Sequence, residues 1–389
     1  MHCAVATSRQ TDGSKAIEAL CEQLRASLGG AEPDVVVVFF TPQHHTHVEH
    51  FRERVMRRLE PRIVVGCPCA GVIGGETEIE STTGLTLWGA RWPEVDVVPF
   101  HLELDEVDGQ PGLVGWPAAL PDDAGFIVLA DPYSTPGDEL VSGFRERYPG
   151  APVVGGLASG SRQAADAQLI TNNGIADEGA VCLAIGGGTR LDAVVSQGCR
   201  PIGQPFVITS GERNVIATLG GRPAFKQLIS VLRSIDERDR KLTQGGAIHV
   251  GRVVDERKSR FGPGDLLVRS ITNIDTDSGT IALSEYVRPG QTIHFMVRDA
   301  EAASTELETL VGEEAERGPA SGALLFSCSG RGERFFGAPH HDLGRVRDGF
   351  GDIPVAGFFA AGEIGPVGGE PFLHGFTASL AVFRDARSR

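Results

Sequence analysis

A ten-residue phrase occurs three times in this chain of 389 residues and restricts its fold more than any other feature. The three copies are RIVVGCPCAG at 62–71, APVVGGLASG at 151–160 and IPVAGFFAAG at 353–362. Every copy holds a short apolar run, which is typical of a buried strand, and two glycines at matching places. The first glycine permits close packing or a positive φ, and the second lets the chain leave at a sharp angle. We therefore interpret the phrase first as a folding device.

Each copy completes a predicted strand-helix-strand unit. The first strands of the units are predicted at 34–40, 125–130 and 322–330, the helices at 48–59, 138–148 and 343–350, and one further strand follows each phrase, within 84–90, 179–187 and 375–383. A strand at 2–8 and a helix at 14–28 precede the first unit. The sequence leaves open whether the three units share one pseudo-symmetric core or lie in two.

The region between the second and third copies has a different pattern. It predicts strands, a helix that begins near Pro223, a loop over 234–247, an antiparallel meander over 265–299 and a helix from Asp299 to about Glu316. We therefore expect an α/β fold of two related domains, 1–220 and 221–389, with mixed β-sheets flanked by helices.

Charge and composition restrict the partners of the chain. Its formal net charge is −15, so it lacks the basic face that binding to DNA, RNA or an anionic membrane requires. No apolar run reaches the roughly 18 residues of a membrane span, and the first residues lack the apolar segment of a signal peptide. The seven cysteines, an odd number, fit free thiols in a reducing compartment. We expect a cytoplasmic protein.

The third copy differs from the others because a carboxylate, Glu363, follows it directly. An acid inside an apolar, glycine-rich turn costs free energy unless it has a charged or hydrogen-bonding partner. One alternative is structural: Glu363 forms an internal ion pair with Arg331 that fixes two turns together. The other is that Glu363 binds a ligand.

The order of motifs along the chain resembles that of the FIST proteins (F-box and intracellular signal transduction). The motifs are VVGCPCAG, PVVGGLASG, SQGCRPIG, VRPGQTIHFMVRDA, FSCSGRG, GFFAAGEIGP and LHGFTA. The resemblance covers nearly the whole chain, as an N-terminal FIST domain followed by its C-terminal partner. Its most specific part is the pair FSCSGRG and GFFAAGEIGP.

The resemblance implies a sensory module that recognises an amino acid or a related small metabolite and is attached to signalling or ubiquitin-ligase partners. The chain shows no kinase, methyl-accepting, nucleotide-cyclase or F-box segment, so we expect its output to pass through a separate partner. Carried over to this sequence, the motif positions are Cys328, Ser329, Gly330, Arg331, Gly357, Phe358, Gly362, Glu363, Gly365, Pro366, His374 and Thr377.

These positions make chemical sense as one pocket. Backbone amides at glycine-rich strand ends bind anions, the Arg331 guanidinium matches a carboxylate, and Glu363 binds an ammonium group. Phe358 and Phe359 would form an apolar wall. We expect an amino-acid-like ligand, and no cofactor, at Cys328, Ser329, Arg331, Gly357, Phe358, Phe359, Gly362, Glu363 and His374.

An enzyme is the alternative from another class. Cys328 would be the nucleophile of a thiol-dependent hydrolase, with His340, His341 or His374 as its base. The sequence contains no nucleophile elbow, Walker loop or dinucleotide fingerprint, so we assign no catalytic residue. A third possibility is a scaffold whose only output is a partner interface.

Two further stretches are weak candidates for sites. HHTHVEH places His44, His45, His47 and His50 around a helix start, where a metal-assisted hydrolase would hold its ion at His44, His47 and His50. The run lacks the H-E-x-x-H frame, and a run of imidazoles next to a strand end is more often a solvated helix start. IGGGTR at 185–190 has glycines that would suit a phosphate or a tight turn.

Overall fold

The computed structural model of the protein describes residues 1–386 except 108, 162, 164–166, 245–247, 259–260 and 263. The chain forms two compact units: unit 1 is Met1–Val195, Leu307–Leu373 and Thr377–Arg389, and unit 2 is Ser196–Glu306 and His374–Phe376. All three copies of the phrase therefore lie in unit 1, whereas the predicted boundary near residue 220 separates the third copy from the others. None of the helices in the described ranges has the length and apolarity needed to cross a bilayer.

Unit 1 contains three mixed β-sheets. The first sheet has the order β1 (His2–Ser8), β6 (Leu85–Arg91), β2 (Val35–Phe40), β3 (Ile63–Pro68), β11 (Leu169–Thr171) and β12 (Gly174–Ala176). The second has the order β8 (Gln110–Val114), β7 (Asp96–Val107), β13 (Ala180–Gly186), β9 (Gly125–Ala130), β10 (Val153–Leu157), β24 (Glu363–Val367) and β25 (Glu370–His374). The third has the order β14 (Thr189–Ser196), β26 (Ala378–Asp385), β22 (Gly322–Cys328), β23 (Val355–Ala360), β4 (Gly71–Gly74) and β5 (Thr77–Glu80).

The three sheets share one plan. At the centre of each, a parallel pair joins the two strands of one repeat: β2 with β3, β9 with β10, and β22 with β23. The strand that follows the repeat then lies antiparallel to the first member of its pair. The predicted mixed α/β architecture with repeated strand-helix-strand units is therefore confirmed.

The repeats exchange hairpins in a cycle. The hairpin after the first copy, β4–β5, extends the sheet of the third copy through β23. The hairpin after the second copy, β11–β12, extends the sheet of the first through β3, and β24 of the third copy pairs with β10 of the second. This cycle answers the question that the sequence left open, because it places the three repeats in one pseudo-threefold unit.

The repeated glycine at the centre of each phrase allows the parallel strands to approach. A Cβ added to Gly66, Gly155 or Gly357 would lie 2.2, 1.9 or 1.7 Å from the carbonyl oxygen of Val38, Val128 or Leu325 on the neighbouring strand. No side chain fits at these distances, so glycine serves close packing and not a positive φ.

Each sheet has a helix-covered face and a face turned to a shared core. The shared core draws buried side chains from all three sheets, such as Phe39, Leu129 and Phe358. The outer faces pack against α1 (Gly13–Ser27) and α2 (Val48–Leu59), against α3 (Gly137–Arg147), and against α6 (Ala300–Ala315) and α8 (His341–Phe350). A one-turn helix, α7 (Glu333–Phe336), precedes α8.

Unit 2 contains a single antiparallel sheet. Its order is β15 (Cys199–Glu212), β21 (Thr292–Arg298), β18 (Ile248–Val253), β19 (Leu266–Asp275), β20 (Thr280–Leu283), β16 (Val215–Leu219) and β17 (Arg222–Pro223). One face of this sheet packs its apolar side chains against α4 (Ala224–Ser234).

Two predictions in unit 2 were wrong. The expected loop at 234–247 contains a short helix, α5 (Glu237–Leu242), because the Asp236 side chain accepts a hydrogen bond from the Asp239 amide and caps it; 245–247 lie outside the described residues. The expected meander at 265–299 holds only for β19 and β20, since β21 pairs with β18 and β15 instead.

Candidate ligand site at the ends of strands β22 and β23

The candidate site lies where the parallel strands β22 and β23 end. Cys328 and Ala360 are register partners at these ends, and Glu363 begins the next strand, β24. The carboxyl ends of parallel strands are the usual place for ligands in α/β sheets. Cys328 is partly buried and Ser329 is exposed, so solvent reaches the edge of this region.

Glu363 is completely buried at this place, with 0% of its surface exposed. The backbone amide and the hydroxyl of Thr377 both donate to its Oε2, at 3.0 and 2.8 Å. Its Oε1 is buried and has no hydrogen-bond partner among the described residues. Burial raises the pKa of Glu363 to about 8, although the Thr377 hydrogen bonds, the positive charge of Arg331 and the Cys328 thiol each lower it.

The other two copies show what this position requires structurally. At the corresponding place in each copy, a residue at the carboxyl end of the first strand or directly after it donates its amide to the residue before the antiparallel strand. The three hydrogen bonds run from Thr41 to Gly84 (3.0 Å), from Asp131 to Gly179 (2.9 Å) and from Cys328 to Thr377 (2.9 Å).

The amide of the accepting residue needs an acceptor of its own in every copy. The acceptors are the Thr41 hydroxyl for Gly84 (2.9 Å), the Ser134 hydroxyl for Gly179 (2.9 Å) and the Glu363 carboxylate for Thr377 (3.0 Å). A hydroxyl is therefore the direct acceptor in the other two copies, and in the second copy that hydroxyl donates at 2.6 Å to the buried carboxylate of Asp131, whose other oxygen has no hydrogen-bond partner among the described residues. The aligned glycines place Val72 and Ser161 where the third copy has Glu363, so only the third copy has an acid there.

Arg331 is also buried, with 1% of its surface exposed, and its ion pair is with Asp342. Its Nε and Nη2 donate to the two carboxylate oxygens at 2.8 and 3.0 Å, and Ser327 donates to the same carboxylate at 2.6 Å. Burial alone would raise the pKa of Asp342, but Arg331, His341 and Ser327 hold it below its usual range. The sequence interpretation paired Arg331 with Glu363 or with a ligand carboxylate and missed Asp342.

A second buried acid, Glu78, lies beside this pair. Its Oε1 accepts the Leu343 amide at 2.8 Å, and its own amide donates to Nδ1 of His340 at 2.9 Å. Burial and the neighbouring charge of Asp342 raise the pKa of Glu78 to about 8. Nothing in the sequence marks Glu78, because it reaches this place through the hairpin β4–β5 of the first copy.

The remaining predicted residues divide between the site and the cores. Gly357, Phe358 and Phe359 all lie in β23, and the two phenylalanines point to opposite faces of the sheet. Phe358 packs in the shared core against Phe39 and Phe326, with ring centroids 5.2 and 5.4 Å apart, and Phe359 packs in the core under α6 and α8. The expected apolar wall at the strand ends is therefore not built by these side chains. Gly362 accepts the Leu157 amide through its carbonyl at 2.8 Å.

The histidines proposed as bases for Cys328 have other contacts. Nδ1 of His340 accepts the hydrogen bond from the Glu78 amide. Nδ1 of His341 contacts the Asp342 carboxylate at 3.0 Å, and its ring stacks on that of Phe336 with the centroids 3.4 Å apart. His374 is buried at the end of β25 and belongs to unit 2.

The histidine stretch and the glycine turn also have structural explanations. His44 is fully buried against Phe51, with centroids 5.4 Å apart, and His47 stacks on the same ring at 6.0 Å. Within the described part of the chain, no three His, Cys, Asp or Glu side chains are grouped so as to hold a metal ion. In IGGGTR, the Gly187 amide donates to the Asp123 carboxylate at 2.9 Å, so an acid lies where a phosphate would.

Two family models match adjacent parts of the chain. The FIST N domain matches residues 34–222 and the FIST C domain matches residues 223–366. Among curated relatives, "Uncharacterized protein MT0656" of Mycobacterium tuberculosis is 36% identical over 387 residues, which cover 99% of this chain and 100% of the relative. "Uncharacterized protein Mb0898c" of Mycobacterium bovis is 35% identical over 387 residues, which cover 99% of each chain.

Proposed function

This chain belongs to the FIST family, whose domains are sensory domains of signal transduction, and from that premise we propose that it senses an amino-acid-like metabolite at Glu363. The ligand enters at the ends of β22 and β23, and its ammonium group binds Oε1 of Glu363. The output passes to a separate protein partner, in the cytoplasm.

The proposal rests on a comparison of Glu363 with the groups that have the same structural role in the other two copies. A hydroxyl accepts the equivalent amide in the other two copies, so the Thr377 amide does not by itself require a carboxylate at Glu363. A buried carboxyl oxygen without a hydrogen-bond partner costs about 1–3 kcal/mol. An ammonium group supplies both the missing hydrogen bond and the missing positive charge.

The rest of the site suits a ligand with a second, anionic end. Arg331 stays with Asp342 and acts from a distance, since its charge favours the ionised form of Glu363. The exposed Ser329 and Gly330 lie on the solvent side, where backbone amides and a hydroxyl can bind a carboxylate. Cys328 lies partly buried between this edge and Glu363, as a wall of the entrance.

Glu363 must lose a proton before it binds an ammonium group. Its pKa of about 8 means that it is mostly protonated at pH 7, so binding releases a proton. We therefore expect affinity to rise from pH 6 to pH 8 and to level off above that range.

A thermal-shift screen of the amino acids and of common keto and hydroxy acids tests the proposal. A ligand at a hundred times its dissociation constant adds about 2.7 kcal/mol to stability. We expect a shift with an amino acid that disappears in Glu363→Gln and persists in Glu78→Gln. Glu78 is the matched control, because it is also a buried acid whose pKa is raised to about 8. Equal shifts in both variants, or no shift with any compound, would refute the proposal.

A further inference from the structure

Two buried imidazoles in unit 2 lie together on one face of its sheet. His249 in β18 is opposite Met296 in β21, and Gly251 is opposite His294. Residues two apart on a strand share a face, so His249, Gly251, His294 and Met296 form the four corners of one patch. A Cβ on Gly251 would come within 2.9 Å of the Met296 sulfur, so the thioether lies across the glycine corner.

Both imidazoles lack partners for their polar atoms. His249 is 8% exposed and His294 is 9% exposed, and in each ring neither nitrogen has a hydrogen-bond partner among the described residues. A neutral imidazole carries one N–H donor and one acceptor, so each ring buries an unused donor. Native proteins rarely leave such groups unsatisfied without a reason.

The charges around the patch favour a negative ligand. Arg298 follows on the same face of β21, and burial together with its positive charge lowers the pKa of His249 to about 4. Burial also lowers the pKa of His294. The register places Ser270 beside His249, and Cys199 and Pro201 beside Arg298 and Met296, so these described register partners bring no carboxylate to this face.

The structure also shows where the other charged groups near the patch lie. Arg252 and Arg269 lie on the opposite face of the sheet, where both contact Glu285. Lys258 and Asp265 pair with each other around the loop that carries Phe261, whose ring contacts His294 at 6.2 Å. His374 begins the three-residue segment of unit 2 that ends at Phe376.

Phe376 covers this patch in a strained conformation. Its φ is +68°, which is rare for a bulky residue. Its ring lies 4.2 Å from the His249 ring and beneath the Arg298 guanidinium, 5.1 Å away. Strain of this kind persists where the surrounding structure holds it, and it is concentrated at ligand clamps and switch segments.

We propose that this face of the unit 2 sheet binds a small oxyanion, a carboxylate or a phosphate, between His249, His294 and Arg298, and that Phe376 is its movable cover. The imidazoles take up protons as the anion binds, because the anion favours their charged forms. Affinity therefore falls by up to about tenfold per pH unit for each proton taken up, as pH rises above the pKa values of the free histidines.

Histidine NMR tests this site directly. The probes are sodium acetate and inorganic phosphate, titrated into protein with 13C-labelled histidine near pH 6.5, with sodium chloride matched for ionic strength. His249→Gln and His294→Gln assign the two signals among the 11 histidines. We expect both signals to move with one probe and to titrate at least one pH unit higher with the anion bound, while the other histidine signals stay in place.

A charge variant separates this binding from a structural effect. Arg298→Gln should weaken the binding of the anion about tenfold or more, and it should raise the pKa of His249 in anion-free protein. Arg298→Lys should restore much of the binding. Glu363→Gln should leave the response intact, so this site and the amino-acid site are judged separately. Signals that do not move with either probe, or that move equally in sodium chloride, would overturn the proposal.

Discussion

Replacing Glu363 with Gln should change how the stability of the protein depends on pH. In the folded state the pKa of Glu363 is about 8, against 4.5 for an ordinary glutamic acid. Between these values the folded chain keeps a proton that the unfolded chain has released, so stability falls as pH rises. At about 1.4 kcal/mol per pKa unit, the carboxyl costs the folded state roughly 1 kcal/mol at pH 5 and roughly 3 kcal/mol at pH 7.

Gln occupies the same volume, can accept the Thr377 hydrogen bonds and does not ionise. The unfolding free energy of Glu363→Gln, relative to that of the natural protein, should therefore rise by roughly 2–3 kcal/mol as the pH rises from 5 to 7. Urea unfolding at both pH values measures this, and the contributions of titrating groups that do not interact with Glu363, such as Glu78, cancel in the difference. A stability difference that stays constant with pH would show that Glu363 is ionised in the folded protein, and the argument for an unsatisfied acid would fail.

Three further predictions concern the surroundings of the site. Arg331→Ala should lower the unfolding free energy by about 3–5 kcal/mol, because it leaves Asp342 buried without its cation. The control Arg345→Ala, at a solvent-accessible pair with Asp348, should lower it by less than about 1 kcal/mol. Similar losses in the two variants would contradict the buried pair. Gly357→Ala should sharply lower the soluble yield and the melting temperature, because the added Cβ would meet the Leu325 carbonyl. The control Gly344→Ala, in open space on α8, should leave the melting temperature unchanged or raise it. A well-folded Gly357→Ala protein would refute the close packing. Native protein should incorporate one equivalent of iodoacetamide, at Cys328, since the other six cysteines are buried. The bound amino acid should slow this reaction. Labelling that persists in Cys328→Ser would show that another thiol is accessible.

Local patterns were enough to predict the repeated strand-helix-strand elements of unit 1 and the strand and helix that precede them. Helices α2 and α6 lie where the apolar spacing and the cap at Asp299 place them, and the three phrases form the second strands of the parallel pairs. The sequence left open whether the first glycine of each phrase serves close packing or a positive φ, and the structure shows close packing.

The cyclic exchange of hairpins was beyond sequence reasoning. Hairpin β4–β5 extends a sheet whose other strands come from much later in the chain, and no local signal specifies such a partner. The same exchange brings Glu78 beside Asp342 and Arg331, so that network could not be inferred either. Phe358 and Phe359 were placed in the pocket because they flank Glu363 in sequence, but strand alternation turns them into two different cores.

The claim that Glu363 binds the ammonium group of a ligand is tested most directly by counting protons. The amino acid with the largest thermal shift is titrated into the protein at pH 7 by calorimetry, in two buffers that differ in ionisation enthalpy. Because the pKa of Glu363 is raised to about 8, binding should release most of one proton from the natural protein and from Glu78→Gln. Binding that releases no proton, or binding to Glu363→Gln with undiminished affinity, would contradict the account.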